Sequence, residues 1–226
     1  MIGANPVVPG SIGVMGGAFD PIHVGHLAVA EEAREALGLE RVLFVPTGSP
    51  AHRGAPIAAP EDRLAMVDAA IAGNPAFEAS RIELDRVGPS YTLDTLEALA
   101  AAQLAAGQEP NLVLILSAET FHDLPAWHEP RRILGLARLA VAPRVGHATP
   151  DLDWFETRFP GLGGRVTYLD GPRLGVSSSA LRARLAAGRS IRYLAPAAVA
   201  AYIGEHMLYN TTSRAATAPA ATTPGG

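Results

Sequence analysis

The chain has 226 residues, 48% hydrophobic and 18% charged, with a formal net charge of −4. This is the composition of a soluble globular protein with room for one substantial core, and the absence of a basic stripe argues against a nucleic-acid partner. Cysteine is absent, which excludes disulfides and makes the cytoplasm the expected compartment. No apolar run reaches the roughly 18 residues of a membrane span. The opening Met1-Ile2-Gly3-Ala4-Asn5-Pro6 lacks the basic-then-apolar pattern of a secretory leader. All 18 basic residues are arginine. Any phosphate-holding base other than histidine is therefore a guanidinium, which can grip two oxygens at once.

In chain order, apolar strand-like runs alternate with helical patterns. Ile12-Gly13-Val14-Met15 reads as a buried strand, and residues 25–37 are rich in strong helix formers. Between them lies Gly16-Gly17-Ala18-Phe19-Asp20-Pro21-Ile22-His23-Val24-Gly25-His26. Two glycines at a strand-to-helix turn let backbone approach a ligand, and a helix N-terminus suits phosphate. His23 and His26 share a helix face if the helix starts near His23. Read locally, Asp20 and Pro21 are only turn formers. Further strands are expected at 41–45, 77–82, 111–116, 138–142 and 165–169. Further helices are expected near 61–72, 92–107, 129–136, 151–158, 179–187 and 196–206. Strands separated by helices imply an α/β, doubly wound, mostly parallel Rossmann-like sheet with a small C-terminal helical portion, about 177–209. Ligands of such sheets bind beyond the carboxyl ends of the strands. The expected organisation is one domain over 1–210, with a Pro- and Gly-rich loop at 46–60. The Thr/Ala/Pro/Gly stretch 211–226 is expected to be a disordered tail.

The first motif resembles the signature of the nucleotidyltransferase superfamily, His-x-Gly-His. In its fuller form, Gly-Gly-x-Phe-Asp-Pro-x-His-x-Gly-His, it is similar to that of the bacterial nicotinate-nucleotide adenylyltransferases. Val176-Ser177-Ser178-Ser179-Ala180-Leu181-Arg182 could by itself be a plain helix cap. It also resembles the superfamily's second motif, about 150 residues downstream. Gly88-Pro89-Ser90-Tyr91-Thr92-Leu93-Asp94-Thr95-Leu96 and Leu124-Pro125-Ala126-Trp127 resemble the family's nicotinate-binding elements, although Trp127 alone would pass for a core residue.

The resemblance implies ATP and nicotinate mononucleotide as substrates, Mg²⁺ carried mainly by their phosphates, and no protein metal site. It implies catalytic roles for His23, His26 and Arg182, and nucleotide contacts at Gly16, Gly17, Ala18, Phe19, Gly25, Ser178 and Ser179. It implies mononucleotide contacts at Tyr91, Thr92, Trp127, His52, Arg53 and Glu119. One departure stands out. The family's Gly-x-Asp after the fourth strand is here Ser117-Ala118-Glu119, which lengthens the carboxylate and restricts a backbone that glycine would leave free. Two other functions share these residues: transfer of a nucleotidyl group to another phosphate monoester, and nucleotide binding without turnover.

Overall fold

The computed structural model describes residues 10–50, 54–148 and 151–209. His52 and Arg53 and the tail 211–226 lie outside the described residues. Six strands form one sheet: β1 (Ile12–Gly17), β2 (Arg41–Pro46), β3 (Phe77–Ala79), β4 (Leu112–Ser117), β5 (Ala137–Ala142) and β6 (Val166–Tyr168). Their order is β3-β2-β1-β4-β5-β6, and every pairing is parallel. The helices are α1 (Val24–Leu37), α2 (Pro60–Ile71), α3 (Thr92–Ala105), α4 (Ala118–Asp123), α5 (Pro130–Leu136), α6 (Leu152–Arg158), α7 (Ser178–Ala186) and α8 (Ala197–Glu205). Among the described residues no helix is long and apolar enough to cross a membrane.

The strands read as near-continuous apolar runs because both faces of the sheet are covered. Side chains alternate between two cores. Met15, Phe44, Val113 and Ile115 face one core with α1, α2, α7 and α8. Val14, Leu43, Leu114 and Leu116 face the other with α3 to α6. Strand order reverses between β1 and β4, so the loops after these two strands diverge and leave a crevice at their carboxyl ends.

Three elements differ from the sequence expectation. β1 runs two residues further, so Gly16 and Gly17 end the strand rather than form the turn. β3 keeps only three of six expected residues, because it lies at the sheet edge and pairs on one side alone. α4 was not expected at all. It starts directly where β4 ends, capped by Ser117, whose hydroxyl accepts from Thr120 N at 3.2 Å.

Candidate active site

A cleft of about 600 Å³ opens at the carboxyl ends of β1, β2 and β4. Gly16, Gly17 and Ala18 form one wall, and a Cβ added at Gly16 would meet no atom within 4 Å, so this wall is open to a ligand. Ser178 and Arg182 approach from α7, while Tyr91, Thr92 and Trp127 line the opposite side. Two groups of expected residues, about 90 positions apart in sequence, thus face one cavity.

The α7 side is held by α1 and the loop before it. Ser177 caps α7 by accepting from Ala180 N at 3.2 Å, and Ser178 donates from Oγ to the Pro21 carbonyl at 2.9 Å. Arg182 donates from Nη1 to the Asp20 carbonyl at 2.6 Å. Ser179 does not line the cleft; its hydroxyl lies 3.3 Å from that of Ser177.

His23 is the N-cap of α1 and His26 its third residue. The rings stack at 3.8 Å between centroids, and His26 Nδ1 accepts from His23 N at 3.2 Å. With Nδ1 accepting, the proton of a neutral His26 sits on Nε2, where it can be donated. Burial and the nearby Arg144 guanidinium lower the His23 pKa to about 4. Burial, His23 and Arg144 together hold His26 well below the usual range. Both imidazoles are therefore neutral near pH 7. Neither borders the main cleft. They sit beside it at the start of α1, with His23 Nδ1 buried and, among the described residues, without a hydrogen-bond partner. Gly25 is needed here, because an added Cβ would stand 3.0 Å from the His23 ring.

Phe19, Gly25 and Glu119, like Ser179 and the two histidines, are not among the residues that line the cleft. Phe19 turns its ring into the core, 2% exposed, 5.1 Å edge-on to His26 and 5.9 Å from Phe44. It packs and positions His26 rather than presenting a ring to a nucleotide, because its apolar surface is better satisfied among Phe44 and its neighbours. Glu119 lies in the first turn of α4 and does not line the cleft. Its carboxylate is 3.8 Å from both Arg144 Nε and His147 Nε2. The longer side chain reaches the Arg144 guanidinium and the His147 ring on the loop after β5. The backbone of Ser117, φ −77° and ψ 158°, is open to any residue, so the missing glycine imposes no strain there.

Several site residues had no assigned role in the sequence. Arg144 donates to the Val176 carbonyl at 3.1 Å just before α7. Glu83 is buried in the cleft wall, accepts from the Thr95 hydroxyl at 2.8 Å, and has its pKa raised by burial. Arg63 is 1% exposed and bridges the loops after β1 and β2, donating to Ala18 O at 2.8 Å and Thr47 O at 2.6 Å. Gly48 packs so closely on the Glu83 backbone that an added Cβ would meet its carbonyl oxygen at 2.3 Å. The apolar residues at helical spacing from it, Ala59, Pro60, Met66 and Val67, were the one available sign of Arg63.

Residues 14–184 match the family model described as cytidylyltransferase-like. A probable nicotinate-nucleotide adenylyltransferase of Roseiflexus sp. (strain RS-1) is 53% identical over 199 residues, covering 88% of this chain and 97% of that one. The protein of the same name from Thermus thermophilus is 43% identical, covering 88% and 98%. Among solved structures, Plasmodium falciparum nicotinic acid mononucleotide adenylyltransferase complexed with NaAD superposes with a TM-score of 0.71. At 18% identity, with 88% and 97% coverage, it speaks for the fold. Fold, motif order and relatives agree: the chain belongs to the cytidylyltransferase-like family, among the nicotinate-nucleotide adenylyltransferases.

Proposed function

We propose that this chain transfers the adenylyl group of ATP to nicotinate mononucleotide, giving nicotinate adenine dinucleotide and pyrophosphate in NAD biosynthesis. The observation that carries the proposal is one cleft with two differently equipped ends. Arg182 and the N-terminus of α7 offer a cation and backbone amides to phosphate. The N-terminus of α3 opens at Tyr91 and Thr92, where no side-chain cap occupies its first amides. Those amides suit a carboxylate, and Trp127 beside them suits a flat ring.

The mononucleotide phosphate is already anionic at neutral pH, so no side chain needs to take a proton from it. One of its oxygens bonds to the α-phosphorus of ATP as the bond from that phosphorus to the bridging oxygen breaks. The electron pair leaves with pyrophosphate. The protein's work is alignment and stabilisation of the charge that builds on the leaving group. His26 Nε2–H and His23 are placed to donate to phosphate oxygens as neutral groups, with Gly25 giving them room. Gly16, Gly17 and Ala18 leave backbone space beside the triphosphate. Arg182 and the amides of Ser178 and Ser179 take the outer phosphates. By the resemblance, His52 and Arg53 would contact the mononucleotide.

A divalent cation, Mg²⁺ in our reading, supplies charge neutralisation when it arrives on the nucleotide phosphates. Among the described residues no three His, Asp or Glu side chains converge as a metal-binding group. We take the cytoplasm as its compartment, in line with a sequence that has no cysteine. Incubation with ATP, Mg²⁺ and nicotinate mononucleotide is expected to yield the dinucleotide and pyrophosphate in equal amounts. Pyrophosphate release only with another phosphate monoester, or ATP binding without release, would overturn the proposal.

A further inference from the structure

Asp20, a turn former by sequence, is 3% exposed at the cleft wall, and four partners meet its two carboxylate oxygens. Oδ1 accepts from Ala58 N at 3.1 Å and from the Tyr209 hydroxyl at 2.7 Å. Oδ2 accepts from Ile57 N at 2.8 Å and lies 3.6 Å from Arg182 Nη1. The same Nη1 takes the Asp20 backbone carbonyl. These partners come from three remote places: the segment before α2, helix α7, and the stretch after α8. Ile57 also lines the cleft and is 65% exposed. A carboxylate beside bound phosphates would ordinarily be suspected as a metal ligand or a base. Here three hydrogen bonds and a guanidinium at ion-pair distance already engage it, which points instead to a role in holding its partners.

We propose that Asp20 is a positioning residue, held by Tyr209, that ties the segment at Ile57 and Ala58 to the phosphate-side Arg182, and that this segment, with Ile57 in the cleft wall, serves the acceptor. Tyr209 acts through Asp20 and touches neither substrate. Its hydroxyl stays protonated, because burial and the neighbouring carboxylate push its pKa above the ordinary phenol range. It therefore remains a donor at any working pH. Arg63 supports the arrangement from behind, joining Ala18 O to Thr47 O and adding positive charge near Asp20. Both substrate sites consequently depend on one carboxylate oxygen pair, and loss of the Tyr209 bond loosens both together.

The inference rests on the adenylyl-transfer reading for the names of its two substrates, but it is tested by binding. Dissociation constants for ATP and for nicotinate mononucleotide are measured separately by calorimetry on the full chain, beside turnover. Wild type, Tyr209→Phe, Asp20→Asn and the double variant are compared, each with its melting temperature. Tyr209→Phe is expected to weaken both substrates roughly tenfold, the worth of one hydrogen bond to a charged group. The double variant is expected to lose clearly less than the product of the two single effects, because both act on one group. A change in only one of the two constants, unchanged constants with a lowered melting temperature, or effects that multiply would overturn the coupling. If Asp20→Asn fails to fold, Tyr209→Phe carries the test, since it removes a single hydroxyl. Wild type that binds both substrates without releasing pyrophosphate would strike the functional reading and leave the coupling standing. Wild type that binds neither would overturn both.

Discussion

The paired histidines gain their chemistry from being kept uncharged. In water an imidazole near pH 6.5 is half protonated, and a phosphate site would favour the charged form. Here burial and the Arg144 guanidinium act against protonation of His23, and His26 faces the same arginine and its stacked neighbour. In the proposed reading, guanidinium groups bring charge to the site and the neutral imidazoles bring directed hydrogen bonds. The arrangement has a measurable cost in acid. The folded chain holds His23 neutral down to about pH 4, while the unfolded chain protonates it near 6.5. Between these values the unfolded state binds more protons, so stability falls as pH falls. From pH 7 to pH 5 the loss from His23 alone comes to about 2 kcal/mol. For a chain of this size that lowers the melting temperature by roughly 4–8 °C. His23→Asn, which cannot titrate, is expected to show a shallower decline over the same range. An equally steep decline in the variant would show that His23 is not held neutral by the fold.

At the level of elements, what could be read from the sequence depended on the length of the signal. The strands at 41–45, 111–116 and 138–142 stood out as buried apolar runs, and α1 and α3 as long stretches of good helix formers. Both phosphate-side motifs were legible because glycines, histidines and a serine cap fall at strand-to-helix junctions. α4 was missed because it has six residues and no loop before it, although Ser117 and Thr120 carried its cap. Asp20, Arg63 and Tyr209 were not legible as partners. Their hydrogen bonds join positions between 16 and 189 apart, and no local pattern records such distances. The α3 terminus was legible and supports a quantitative expectation. Its N-cap, Tyr91, provides no side-chain acceptor, so the first amides need one from elsewhere. A nicotinate carboxylate supplies acceptors only, whereas the amide's NH₂ turned toward these donors leaves them unpaired. Each unpaired buried donor costs about 1–3 kcal/mol. Nicotinate mononucleotide is therefore expected to exceed nicotinamide mononucleotide in kcat/KM by tens- to hundreds-fold. Equal values, or preference for the amide, would remove α3 from the acceptor site.

Over the whole molecule, the sheet separates two cores that share strands but not consequences for catalysis. Phe44 is fully buried on the α1 side, 5.9 Å from Phe19, whose ring in turn lies edge-on to His26 at 5.1 Å. Phe155 is fully buried on the other side, in α6, against Phe121 and Phe159. It does not border the cleft. Truncating either ring leaves a large cavity, at a cost of about 3–5 kcal/mol. The two variants, Phe44→Ala and Phe155→Ala, are expected to melt roughly 6–20 °C below wild type. Their kinetics are expected to part. Phe19 sits at φ 47°, a left-handed backbone that bulky residues rarely adopt, so its surroundings must hold it there. Removing Phe44 withdraws one of those supports, frees the Phe19 ring and lets His26 drift from the position in which it is proposed to meet a phosphate. Phe44→Ala is thus expected to lower kcat severalfold at a temperature where both variants remain folded, while Phe155→Ala keeps the wild-type value. Assays at about 20 °C, with folded fractions checked by circular dichroism, decide it. An equal kcat in the two variants would mean that the α1-side core supports the histidines no more than any other part of the fold.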